Sequence, residues 1–115
     1  MMKLVIVAAG ILFMSGCYYH KEELLYPDSL NCTTTPARFS TDIAPLIQSR
    51  CAISGCHAAG STNGPGPLTS YTLIKNAAPE IKAAVVSRFM PKTGTLSQLE
   101  IKKISCWVDA GAPEN

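Results

Sequence analysis

Cys51-Ala52-Ile53-Ser54-Gly55-Cys56-His57 sets two thiols four residues apart, with an imidazole directly after the second. A small chain with few chemically distinctive side chains organises itself around such a cluster, and the rest of the sequence reads outward from it. Immediately upstream, Ser40-Thr41-Asp42 offers N-cap chemistry, since a short side-chain oxygen can accept an orphan amide of a first helical turn. Ile43, Leu46 and Ile47 follow as one apolar stripe, and Pro45 is tolerable in or near a first turn. This pattern predicts a short helix that runs to about Arg50 and delivers Cys51 at its end. Downstream, Ala58–Pro67 is rich in Gly, Ser, Asn and Pro and reads as a loop.

Beyond that loop, Leu68–Asn76 and Pro79–Arg88 read as two further short helices. Ser70 can cap the first, and Pro79 suits the opening turn of the second; Ile81, Val85 and Phe89 are candidates for its buried side. The last helix carries the clearest signal. Ser97-Gln98-Leu99-Glu100 is a capping box, in which serine and glutamate three apart each satisfy an end amide. Ile101, Ile104 and Val108 form its stripe beside Trp107, Gly111 fits a left-handed position past its end, and Pro113 prevents continuation. No alternating strand pattern competes and no internal repeat occurs, so the expected fold class is all-α with about four short helices. About 75 folded residues make a thin core, and domains of that size generally need a disulfide, metal or cofactor as a staple.

The remaining sequence bounds the setting. With 115 residues, and Lys+Arg 10 against Asp+Glu 8, there is room for one small domain and a leader. No basic block suggests nucleic acid and no acidic run suggests a disordered tail. Residues 1–16 combine an early lysine, an apolar stretch Leu4–Met14 and the small pair Ser15-Gly16, which is the pattern of a secretory signal and is too short to span a bilayer. Ser15-Gly16-Cys17 resembles a bacterial lipobox, with Met14 where such motifs prefer leucine. Lipid on Cys17 would anchor an exported chain to the cell envelope by acyl burial; an ordinary signal peptide with an incidental cysteine is the plainer reading. Residues 17–38 then form a tether with no sustained hydrophobic period, and the folded domain spans residues 39–115. His20-Lys21-Glu22-Glu23 in that tether resembles signals that send lipoproteins to the outer cell surface, though a solvated charged segment explains it equally well.

Three chemistries use a Cys…Cys-His cluster. Two thiols can add to the two vinyl groups of haem while the following histidine reaches the iron, a motif usually spelled C-x-x-C-H. Here the extra two residues must bulge outward, which Gly55 eases. A disulfide loop is the second possibility. Zinc is the third, but it wants four ligands; Cys51, Cys56 and His57 supply three, and the fourth would have to come from Cys32, Cys106 or His20. An exported, oxidising setting also works against free thiolate ligands. Haem is the favoured reading. Once the leader is removed Met90 is the single methionine left, and it sits in a turn beside Pro91, where a soft axial ligand can be offered to iron. Core filling is the plain alternative for Met90, and His20 is its competitor as ligand.

His57 after Cys56, Pro67-Leu68, Met90-Pro91 and the closing Trp107-Val-Asp-Ala-Gly-Ala-Pro-Glu-Asn115 together resemble small class I cytochrome c domains of bacterial lipoproteins. The resemblance covers Phe39–Asn115 and departs from the common pattern in its four-residue spacing. It implies a cytochrome c-like fold around one covalently held haem c, with first and last helices crossing, His57 and Met90 on the iron, and a proline carbonyl accepting a hydrogen bond from His57 Nδ1. That carbonyl is expected at Pro67, with Pro65 second. It further implies a membrane-anchored, monomeric carrier of single electrons between redox proteins, with no bond-breaking activity. With Cys17 given to lipid and Cys51 and Cys56 to haem, Cys32 and Cys106 remain as one possible bridge, the alternative being free buried thiols. Trp107 and Tyr71 read as packing, and Lys92, Lys102 and Lys103 as a weakly positive docking rim or a plain solvated face. Two rival functions stay open: a peroxidase-like or sensor domain in which Met90 leaves the iron, and a haem-free, disulfide-stapled interaction module.

Overall fold

The computed structural model describes residues 31–115. The leader 1–16, Cys17, His20 and the tether up to residue 30 lie outside the described residues. Among the described residues there are four α-helices, α1 (Ala44–Arg50), α2 (Tyr71–Asn76), α3 (Ala78–Val86) and α4 (Gln98–Asp109), with a π-helical turn, Phe39–Ile43, leading into α1. No strand occurs among the described residues, so the domain is all-α. None of these helices is long and apolar enough to cross a membrane.

The entry into α1 differs from the expected cap. Neither Ser40 nor Thr41 caps; instead the Asp42 carboxylate reaches back to accept the Arg38 amide at 3.0 Å. The next two amides are taken from the far end of the chain: Phe39 N–H donates to Asn115 Oδ1 at 2.7 Å and Ser40 N–H to the Asn115 backbone oxygen at 2.8 Å. The π-helical turn starts the helical run at Phe39, earlier than the sequence suggests, while Pro45 lies in the first turn of α1 as expected. A proline there has no amide to give and crowds the carbonyl one turn back. In the first turn of α1 that missing amide is one of the end amides without a helical partner, and the π-helical turn just upstream is closed by Ile43 N–H to Arg38 O at 3.1 Å.

Helix α4 follows its sequence signals at both ends. Glu100 N–H donates to Ser97 Oγ at 3.2 Å, and Ser97 N–H donates to Glu100 Oε2 at 2.7 Å. At the C-terminus Gly111 takes φ +92°, which L side chains rarely adopt. Ala112 N–H then bonds Trp107 O at 2.9 Å and Gly111 N–H bonds Val108 O at 3.0 Å, a Schellman closure with Ala112 buried beside it. Ser70 caps α2, its hydroxyl accepting from Leu73 N–H, and Pro79 lies in the first turn of α3.

The core lies where the π-helical turn and α1 meet α4 and where α3 packs on α4. Ile43, Ile47 and Ile104 have no exposed surface, and Trp107, Val85, Ile74, Leu68 and Leu96 are buried around them. Burying side chains of this size stabilises by about 1.5–3 kcal/mol each. Phe39 joins the packing as an edge-on partner of Tyr71 at 4.9 Å and a tilted neighbour of Trp107 at 5.7 Å. Both polar tips are satisfied: Trp107 Nε1–H donates to Pro113 O and the Tyr71 hydroxyl to Ala112 O, each at 2.9 Å. Phe89 does not join them. Helix α3 stops at Val86, Arg88 turns the chain at φ +59°, and Phe89 is left 60% exposed with the Lys92 ammonium 3.3 Å from its ring centre.

Two links cross the domain. Cys32 and Cys106 are joined in a disulfide spanning 74 residues. Lys103 Nζ sits 2.5 Å from Asp42 Oδ1, with both side chains largely covered, so Lys103 is an internal tie rather than part of a docking rim. The Lys82–Asp109 pair is more exposed and contributes little. The Lys103 ammonium, then the Arg38 amide, hold the Asp42 carboxyl below its ordinary value. The folded state therefore gains stability from this carboxylate above the unfolded-state value near pH 4, and loses it as acidification passes through the lower folded value. Asp42→Asn is expected to cost about 0.5–1 kcal/mol at pH 7 and less at pH 3. Urea titrations at the two pH values check this; an equal gap at both would exclude the ion pair as its source.

Candidate functional site

Helix α1 ends at Arg50, and Cys51 forms its C-cap by donating its amide to Ile47 O at 2.8 Å. The chain then folds back on itself: Cys56 N–H bonds Ile53 O at 3.0 Å and His57 N–H bonds Cys51 O at 3.0 Å. The closure returns His57 to the backbone of the first cysteine, so the two additional residues are taken up by a bulge at its exposed tip, Ser54-Gly55. Gly55 sits at φ +81° with open space where a Cβ would stand, so backbone conformation alone calls for glycine there.

Cys51, Cys56, His57 and Met90 all line one cavity of about 620 Å³, together with Leu68, Ile81 and Val85. That volume falls in the range of sites that enclose a cofactor-sized molecule, and an apolar wall with few polar groups is typical of them. The wall is assembled from α1 and its following loop, from α3, and from the Phe89–Thr93 segment after α3. Cys51 and Cys56 are both free thiols, so the closed disulfide loop considered from the sequence is not formed. Burial, and secondarily the neighbouring Cys56, pushes the Cys51 thiol up to about 11. A thiol pushed up in this way is held mainly in its protonated form at neutral pH.

His57 is 6% exposed, and its Nδ1 lies 2.9 Å from the carbonyl oxygen of Gly66. A carbonyl can only accept, so Nδ1 carries the proton and, in the neutral ring, Nε2 keeps its lone pair. The acceptor is Gly66, not Pro67 or Pro65. Leu68 N–H donates to His57 O at 2.9 Å, which fixes residues 66–68 alongside His57. The Gly66 carbonyl and the Leu68 amide, two positions apart, face that histidine together, and the Pro67 carbonyl between them is out of register.

Sequence reasoning missed the residues that brace this loop. Asn63 Nδ2 donates to Gly55 O at 3.2 Å and to Cys56 O at 3.0 Å, and the Ser61 hydroxyl also donates to Cys56 O. In the sequence both stand in a Gly/Ser/Asn/Pro run that reads as ordinary loop chemistry; their placement five and seven residues after Cys56 was the available signal. Among the described residues no group of three or more His, Cys, Asp or Glu side chains is arranged to hold a metal ion, which leaves the zinc reading without a ligand set there. His20, its distant fourth ligand, lies outside the described residues, as does Cys17. The chain matches no protein-family model, no curated protein and no solved structure.

Proposed function

We propose that this chain is an exported, lipid-anchored c-type cytochrome that carries single electrons and has a cytochrome c-like fold around one haem. The observation that carries the reading is the shared cavity, lined by two free thiols, one oriented imidazole and the methionine Met90. These residues fit haem: two thiols for two vinyl groups, a nitrogen and a thioether sulfur as axial donors, and an apolar wall for the ring. A disulfide-stapled interaction module has no use for a pair of unpaired thiols beside a cofactor-sized cavity.

Cys51 and Cys56 would each add across one vinyl double bond. Each thioether would take up both the sulfur and the hydrogen of its thiol, so Cys51 and Cys56 would hold the group with no net oxidation. His57 would offer Nε2 to the iron, and the Gly66 carbonyl, by holding Nδ1–H, would fix the ring's orientation and raise its donor strength. Met90 would offer its sulfur from the segment after α3, favouring the reduced iron. When bound, haem supplies the one-electron chemistry, its iron passing between ferric and ferrous states. The polypeptide's part is to shield the ring with Leu68, Ile81 and Val85 and to hold both donors in place. Lipid on Cys17 would keep the carrier at the envelope, where redox proteins are its partners.

Export of the full chain in a host that matures c-type haem proteins should give a band that stains for haem after denaturing electrophoresis. Cys51→Ala/Cys56→Ala should lose the stain, and His57→Ala should keep bound haem while losing the wild-type visible spectrum. An unstained wild-type band would refute the assignment. Carbon monoxide binding to the untreated reduced protein would instead favour the rival with a labile Met90, a peroxidase-like or sensor domain.

A further inference from the structure

The loop from Cys51 to Cys56 holds two residues more than the usual haem-attachment spelling, so something must keep its bulge from swinging the second thiol away from the cavity. Its own backbone supplies only the Cys56 N–H to Ile53 O and His57 N–H to Cys51 O closures. The other restraints come from Ser61, whose hydroxyl donates to Cys56 O, and chiefly from Asn63. Its side-chain amide forks across the Gly55 and Cys56 carbonyls, at 3.2 and 3.0 Å. Its backbone amide rests on Ser61 Oγ at 3.2 Å, the hydroxyl that also donates to Cys56 O. Its backbone carbonyl accepts from Gly66 N–H at 2.5 Å, and Gly66 in turn holds the His57 ring. One residue therefore connects the carbonyl of the second cysteine to the residue that orients the imidazole, and it lines the same cavity.

We propose that Asn63 is the positioning residue that holds the Ser54-Gly55 bulge outward and keeps Cys56 and His57 in register for two-point cofactor attachment. The proposal rests on the haem reading given above. Both contacts on Gly55 and Cys56 need a donor, because carbonyls only accept, so the amide nitrogen and not merely the shape of Asn63 is required. Without it the bulge is free to fold inward or swing out, and Cys51, fixed at the end of α1, would react while Cys56 sometimes would not.

Asn63→Ala removes the donors without adding a charge that would itself alter thiol reactivity. In the haem-free full chain, alkylation of Cys56 by iodoacetamide at fixed pH should rise about threefold to tenfold, the loss expected for ordinary hydrogen bonds, with Cys51 changing less. In the haem-loaded protein a fraction should carry one thioether: its reduced alkaline pyridine absorption band shifts to longer wavelength, since an unreacted vinyl stays conjugated with the ring, and peptide mass mapping finds the free thiol at Cys56. Asn63→Gln, which retains the amide on a longer arm, should recover part of both effects. Should Asn63→Ala fail to fold by far-UV circular dichroism, Ser61→Ala removes one donor from Cys56 O and reads the same two outcomes. Equal Cys56 alkylation in wild type and variant overturns the proposal whether or not haem is attached. Faster alkylation with complete two-thioether attachment overturns it too, since the contacts would then stiffen the loop without positioning the thiol. A wild type that carries no covalent haem sinks the reading above, while the alkylation comparison still decides whether Asn63 holds the bulge.

Discussion

Cys32→Ala/Cys106→Ala is expected to lower the unfolding free energy by about 2–4 kcal/mol, with about 4.5 kcal/mol as the ceiling from chain entropy alone. The reason is length: the bridge spans 74 residues, nearly the whole folded domain, and closing a longer loop removes more freedom from the unfolded chain. Cys106 adds a packing contribution, being only 5% exposed on the buried side of α4. Paired alanines are preferable to serines because they leave no hydroxyl without a partner at that site. Urea unfolding of the variant, and of the wild type with and without reductant, measures the effect. A loss below about 1 kcal/mol would mean that the unfolded chain is already compact enough to make the bridge redundant.

On the proposed haem reading, Met90→His is expected to lower the reduction potential by an amount on the order of 0.2 V, given that axial ligands tune haem proteins over about 0.8 V. Thioether sulfur favours ferrous iron, and imidazole, a stronger σ donor, favours ferric iron, so the sign is negative. Met90 is half-buried on the wall of the cavity that His57 also lines, and its amide is fixed to Ala84 O at 3.1 Å. Voltammetry of the haem-loaded protein reads the shift directly. Met90→Ala should in addition admit carbon monoxide to the reduced iron. An unchanged potential together with no new ligand binding would remove Met90 from the iron, leaving it a filler of the cavity wall.

The parts of this protein written in short-range code are legible in its sequence. Ser97 and Glu100 announce α4, Gly111 and Pro113 announce its end, and Ser70 and Pro79 mark the starts of α2 and α3, because each acts on amides or carbonyls within one turn of itself. The clustering of Cys51, Cys56 and His57 is legible for the same reason. What is not legible is contact across the chain or across a loop. Asn115 accepts the first amides of the π-helical turn that leads into α1 from 76 residues away, and no pattern near Phe39 hints at it. Gly66 takes the role expected of Pro67 because the register between residues 66–68 and His57 is set by the Leu68 amide, a pairing that composition does not encode. Phe89 keeps helical spacing with Ile81 and Val85, yet the left-handed turn at Arg88 moves it to the cavity rim. Periodicity cannot foresee where a helix is abandoned.

The Cys32–Cys106 link also decides how the domain bears a mechanical load. Tension on the N-terminal segment, such as an anchored chain would feel, enters at residue 32 and passes through the sulfur–sulfur bond directly into the last turns of α4. The 74-residue span between, which includes the cavity and all of its lining, is bypassed. Stretched from its two ends with the bond intact, the chain cannot pay out that span; once the bond is reduced, about 250 Å of additional contour becomes available. The site is thus insulated from pulling by covalent topology, whatever the strength of the core around it.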